Sequence, residues 1–217
     1  KQISNFVDYR DGTEIALETL PETQLLQGDL NTYGVELMLK KPTGNFNGWL
    51  NYTYSRSVVK IAGPNPALQV NSGEAYPSSF DKPHALNAVA SYRFGRRVSF
   101  SSNIVYSTGR PITLPTAVYY QNERQIVHYS KRNEYRVPDY FRFDISMKIE
   151  GNLKANKFAH STWMLSVYNV TGRNNAYSVY FKTEGGEVNG YKMSIFAVPV
   201  VSLSYHLKLG NYADKYK

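Results

Sequence analysis

The chain has 217 residues and carries 25 Lys and Arg against 17 Asp and Glu, a net charge of +8, with 19 Tyr and no Cys. Without cysteine there is no disulfide framework, no thiolate metal site and no Cys nucleophile. No run approaches the roughly 20 apolar residues of a membrane-spanning helix, and the basic residues are scattered in pairs such as Lys40 with Lys41 and Arg96 with Arg97. Those two facts exclude a helical membrane protein and leave no nucleic-acid footprint.

Residues 1–10 show no signal-peptide pattern, and the chain opens on Lys1 rather than Met, so it reads as a piece of something longer or processed. They also form the first predicted strand. The second covers about 30–41, with Tyr33, Val35, Leu37 and Leu39 on one face, and Pro42-Thr43-Gly44-Asn45 supplies a turn before a third strand over 45–58. In the fourth, Leu86, Ala88, Ala90, Tyr92 and Phe94 oppose Asn87, Ser91 and Arg93. Past a tight turn at Gly95 and Arg96, Val98, Phe100, Ser102, Ile104 and Tyr106 oppose Ser99, Ser101 and Asn103, which predicts a hairpin.

From 140 to 150 the alternation is unbroken: Tyr140, Arg142, Asp144, Ser146, Lys148 and Glu150 lie on one face, and Phe141, Phe143, Ile145, Met147 and Ile149 on the other. Strands over 158–170 and 197–209 complete a set of about eight. The class predicted is all-β and antiparallel. Connections alternate between long (about 11–29, 59–83, 109–138 and 171–196) and short (42–44, 95–96 and 151–157), the pattern of an outer-membrane barrel with short periplasmic turns and long extracellular loops. Tyr33, Tyr52, Tyr54, Tyr92, Phe94, Tyr106, Phe141 and Tyr205 fall near the ends of apolar faces, where rings sit at the headgroup level. The opposite face carries Glu36, Arg93, Arg142, Asp144 and Lys148, charges that suit a wet lumen and not a dry core.

Several segments carry a family resemblance: YGVEL at 33–37, DKPHALN at 81–87, STGRPIT at 107–113, RVPDYFRFD at 136–144 and LSVYNVTGRNNAYSVYF at 165–181. In order and spacing they resemble the C-terminal barrel portion of TonB-dependent outer-membrane receptors, and the likeness covers nearly the whole chain. The resemblance implies that residues 1–209 are the last third of a barrel of about 22 strands filled by a plug domain. It also implies location in the outer membrane of a Gram-negative bacterium, among lipid and lipopolysaccharide. The TonB complex would engage an N-terminal part outside these residues, and substrate would bind between loops and plug. Such receptors take up siderophores, glycans, peptides or cofactors. Many barrels of this kind end on an aromatic residue, whereas this sequence continues past Leu209, so 210–217 reads as a tail.

The long connection over 109–138 collects Tyr119, Tyr120, His128, Tyr129, Arg132, Tyr135 and Arg136, a mixture of rings and cations that reads either as a ligand-contact loop or as an ordinary loop hairpin. Arg142 and Asp144, two apart on one face, read as a lumen ion pair touching the plug or as a solvated structural pair. Residues 175–196 carry strand-like runs around Gly185 and Gly186 and read as a hairpin extending the wall, a surface for a partner lipoprotein. Enzymatic signals fail: His84, His128, His160 and His206 are isolated, and no catalytic, metal or cofactor motif is present. Glu184 and Glu187, with Asp8, Asp11 and Glu14, lack an orienting partner. The alternatives are a self-contained eight-stranded structural or adhesive barrel and a soluble lipocalin-like binder, the latter with its apolar residues inside.

Overall fold

The structure is a computed structural model that describes residues 1–10, 24–121, 124–151, 158–184 and 187–210. Asp11, Glu14, Gly185, Gly186, nearly all of the predicted short connection over 151–157 and the tail beyond Gly210 lie outside the described residues. The strands are β1 (Gln2–Tyr9), β2 (Leu25–Lys41), β3 (Phe46–Lys60), β4 (Tyr76–Pro77), β5 (His84–Phe94), β6 (Val98–Ser107), β7 (Pro111–Ile112), β8 (Pro115–Gln121), β9 (Arg124–Tyr129), β10 (Tyr135–Arg136), β11 (Tyr140–Glu150), β12 (Ala159–Tyr168), β13 (Ser178–Glu184), β14 (Glu187–Met193) and β15 (Val200–Leu209). Eight of them pair in chain order, β1-β2-β3-β5-β6-β11-β12-β15, and β4 is added to β3. Every pairing is antiparallel, as the alternation predicts. No ladder joins β1 to β15 among the described residues, so this sheet is open at both edges.

Because consecutive strands reverse direction, the connections over 61–83, 108–139 and 169–199 leave from one end of the sheet, together with the link from β1 to β2. The short turns at 42–45 and 95–97 and the link from β11 to β12 leave from the other. Gly95, at φ +68°, accepts the left-handed conformation that the link from β5 to β6 requires.

Register aligns the side chains into rows across the sheet. Leu39, Leu50, Ala88, Ile104 and Phe143 form one row. Phe46, Tyr92, Phe100, Met147, Leu165 and Leu203 form another. These apolar rows are bare: Leu39 is 60% exposed and Leu203 66% exposed, so no described part of the chain covers this face.

Strand ends differ from the sequence expectation where backbone constraints intervene. β2 begins at Leu25 instead of near residue 30. Gly28 lies in the predicted connection over 11–29, yet it is a strand residue that the end of β3 approaches closely: a Cβ would overlap the Lys60 carbonyl and come within 2.6 Å of Ile61 Cγ1. β15 begins at Val200, not 197, because Pro199 has no N–H to give a ladder and Phe196 turns the chain at φ +54°. The stretch over 175–196 does form a hairpin, β13 with β14, with Tyr180 and Tyr191 stacked at 5.5 Å.

At the loop end a small core forms on the polar side of the sheet. Leu26, Val59 and Ile61 are buried there against Val70 and Tyr76 of the 61–83 connection, with Phe6 and Leu30 packed alongside. This packing folds that connection over the sheet's polar face. Ile61→Ala is expected to cost about 2–5 kcal/mol, read as a lower denaturation midpoint together with faster proteolysis within 61–83.

Candidate functional site

Glu36 stands in one row with Thr53, Ala85, Ser107 and Tyr140. Even spacing along the strands then places Arg93, Arg142, Asp144 and Lys148 on the same face as Glu36. The five sequence candidates therefore share a face opposite the bare apolar one. A row of small polar residues, Asn47, Ser91, Ser101, Ser146, Ser166 and Ser202, crosses the same face. Ser101 Oγ donates to Ser91 Oγ at 2.9 Å, and Lys148 pairs with Glu150 at 2.7 Å.

Arg142 and Asp144 form the centre of a half-buried network, their side chains being 23% and 19% exposed. Asp144 Oδ2 accepts from Arg142 Nε and from Asn103 Nδ2, both at 3.0 Å, while Oδ1 accepts the Asn169 backbone N–H at 2.9 Å. Arg142 Nη1 donates to the hydroxyls of Tyr140 at 3.2 Å and Tyr168 at 3.0 Å, and its guanidinium lies 4.6 Å from the Tyr168 ring centroid. The carboxylate thus fixes the guanidinium in orientation, and the guanidinium fixes both phenols. Above them, Asn169 at φ +53° ends β12, and its amide donates to the carbonyls of Arg173 and Phe196. Asn175 extends the β11 edge, accepting from Phe141 N–H and donating to Phe141 C=O. Between these groups and the 169–199 connection lies a cavity of about 270 Å³, walled by Tyr140, Arg142, Tyr168, Tyr177, Ile195 and Phe196.

A second set of charges ties the connections together. Asp81, 1% exposed, accepts from Arg56 Nε at 3.2 Å, from Ser57 N–H at 2.7 Å and from Arg136 Nη2. Arg136 Nη1 also donates to the carbonyls of Asp81 and Gly109. Arg132 reaches Asp8 at 3.4 Å and the carbonyls of Tyr9 and Arg10, and its backbone exchanges hydrogen bonds with the Asn71 amide. Tyr76 donates its hydroxyl to Asp8 at 3.0 Å, and burial followed by the Asp8 charge pushes that phenol above its ordinary range.

The seven loop candidates do not come together. Tyr119, Tyr120 and Tyr129 are exposed on the β8–β9 hairpin, where Tyr119 faces Ile126 and Tyr120 faces Gln125 on opposite sides. His128 Nδ1 is 3.0 Å from Thr116 Oγ1 on the same hairpin, and Tyr135 is exposed in β10. Arg132 and Arg136 are held in the inter-loop network just described. Tyr140 and Tyr168, absent from the candidate set, carry the pocket. Their spacing from Arg142 and Ser166 on alternating strands is the signal that finds them. Asp81 and Asn169 give no such signal, because their partners lie 55 and 25 residues away.

Among the described residues, no group of three or more His, Asp or Glu is placed to hold a metal ion, and no helix is long and apolar enough to cross a membrane. No family model matches the chain, and neither curated proteins nor solved structures yield a match.

Asp139, just before β11, accepts from Gly109 N–H at 2.9 Å and from Tyr106 hydroxyl at 2.8 Å. The backbone N–H first, and the phenol second, hold its carboxyl below the usual range. A depressed carboxyl contributes stability that is present above its unfolded-state pKa and disappears as pH falls through the folded value. Asp139→Asn is accordingly expected to cost about 1 kcal/mol at neutral pH, after allowance for solvent screening. The gap between variant and wild-type denaturation midpoints should close below about pH 4.

Proposed function

We propose that this chain is part of the wall and extracellular loops of a TonB-dependent uptake receptor in the outer membrane of a Gram-negative bacterium. The observation that carries the reading is the two-faced sheet: an antiparallel meander with an uncovered apolar face and an opposite face carrying paired charges and hydroxyls. A soluble protein hides an apolar surface of this extent, whereas lipid is a solvent for it.

Aromatic residues bound that face at both ends. Toward the loops, Tyr52 and Tyr54 pack against His84 at 6.2 and 5.4 Å, with Tyr52 hydroxyl 2.8 Å from His84 Nδ1. Toward the turns, Tyr92 meets Phe94 and Trp163 meets Tyr205, each at 4.6 Å. From Phe46 to Tyr54 the strand rises about 26 Å at about 3.3 Å per residue, or about 20 Å along the membrane normal at a tilt of about 40°, near the approximately 25 Å band of outer-membrane barrels. Rings with polar tips at both margins are the arrangement that two membrane interfaces select.

The open edges at β1 and β15 favour a segment of a larger barrel over a self-contained eight-stranded one, whose first and last strands would pair. A lipocalin-like binder would turn the apolar face inward, but the 61–83 connection packs against the polar face. The barrel, the plug, TonB coupling and the transported nutrient belong to this proposal, the family assignment coming from the resemblance in sequence.

Intact mass of the native polypeptide extracted from outer membranes tests the reading. A species several hundred residues longer, with a plug domain upstream of Lys1, is expected. A heat-resistant mature chain beginning at Lys1 would replace the receptor by a small barrel. Within lipid vesicles, Ile104→Arg on the apolar face is expected to destabilise by about 2–4 kcal/mol. Asn51→Arg, on the polar face, is expected to cost only a fraction of that, both read from urea unfolding.

A further inference from the structure

We propose that the cavity between β11, β12 and the 169–199 connection is a binding site for a carboxylate carried on a single ring. The polar side-chain groups that remain available there are donors. Asp144 already accepts three hydrogen bonds, and the amides of Asn169 and Asn175 are engaged with backbone partners. Arg142 spends Nε on Asp144 and Nη1 on two phenols, while Nη2 has no acceptor among the described residues. Tyr140 and Tyr168 accept from Arg142 and are also hydrogen-bonded to each other, which leaves one hydroxyl hydrogen to donate elsewhere. Arg142 Nη2 beside one phenol O–H presents charge-assisted donors to an anionic oxygen pair.

The walls select what carries the anion. Phe196 stands edge-on to Tyr168 at 5.8 Å, and Tyr177, Ile195 and Phe196 are 70%, 51% and 59% exposed. These flat and apolar surfaces are open at the rim, where a ring can lie against them. At about 270 Å³ the space falls just below the roughly 300–1,000 Å³ of pockets for larger ligands. It therefore holds one ring with its carboxylate, supplied either by an acidic sugar or by an aromatic acid. A lone phosphate or sulfate ion would leave the aromatic walls unused.

The inference relies on the outer-membrane reading only for a water-facing polar side. Its test is binding by the full-length native protein purified in detergent, measured by calorimetry. The probes are D-glucuronate against D-glucose, and benzoate against benzyl alcohol. One acid or both should bind about tenfold more tightly than the neutral counterpart, and whichever binds names the source of the ring. Arg142→Gln should abolish that preference, and Tyr177→Ala, at the exposed rim, should weaken the acid about threefold or more without disturbing the Arg142 network.

Equal binding of acid and neutral probes, or binding of neither, overturns the proposal. So does wild-type affinity in both variants. If Arg142→Gln does not fold, the acid-to-neutral ratio and Tyr177→Ala decide. Membrane fractionation and heat-shifted migration of the same preparation report on the barrel reading separately from the binding result.

Discussion

Strand register is the constraint on which the rest of the molecule depends. Side chains on a strand alternate with a period of two, so a slip of one residue would exchange the apolar rows with the charged ones. Ten consecutive pairs hold β11 against β6, from Tyr140 opposite Ser107 to Ile149 opposite Val98. That one ladder places Phe141, Phe143 and Met147 beside Tyr106, Ile104 and Phe100. It also places Arg142 and Asp144 where Asn103, Tyr168 and Asn169 can complete their hydrogen bonds. An Arg and an Asp turned toward an apolar environment would lose these partners and incur the full desolvation cost. The bare apolar surface and the pocket are thus two consequences of the same pairing.

Buried charge performs a different task at the loop end. Asp81 is almost fully enclosed and is satisfied by Arg56 from the sheet, Arg136 from the 108–139 connection and a backbone N–H. Removing one cation would leave the enclosed carboxylate on a single charged partner, and removing both would leave it uncompensated. Arg132 makes a parallel joint to β1 through Asp8 and two carbonyls. The small apolar core around Ile61 and Val59 lies next to these joints, so the long connections are anchored by packing as well as by charge. The exposed rings of the β8–β9 hairpin stand on the 108–139 connection that these joints hold.

The parts legible in the sequence are those governed by local periodicity. β11 appears with its boundaries intact because eleven residues alternate without interruption, and the hairpin of β5 with β6 follows from Gly95. The five charges of the polar face are found for the same reason. Where a residue answers to a distant neighbour, the reading fails. Gly28 belongs to β2 and not to the predicted connection, and it is small because the end of β3 lies against it. Arg132 and Arg136 look like free loop cations until Asp8 and Asp81 are brought to them from 124 and 55 residues away. Tyr177 and Phe196 acquire meaning only when the 169–199 connection folds back over β12.

The two-faced sheet admits a direct measurement, because the chain contains no cysteine of its own. Single cysteines placed in turn along β11, from Phe143 to Lys148, can be probed in native outer membranes with a water-soluble maleimide and with a lipid-borne quencher of an attached fluorophore. Phe143, Ile145 and Met147 positions should resist the aqueous reagent and be quenched from the lipid, while Asp144, Ser146 and Lys148 positions should do the reverse. Reactivity without a period of two, or with the two sets exchanged, would contradict a strand that faces lipid on one side and water on the other.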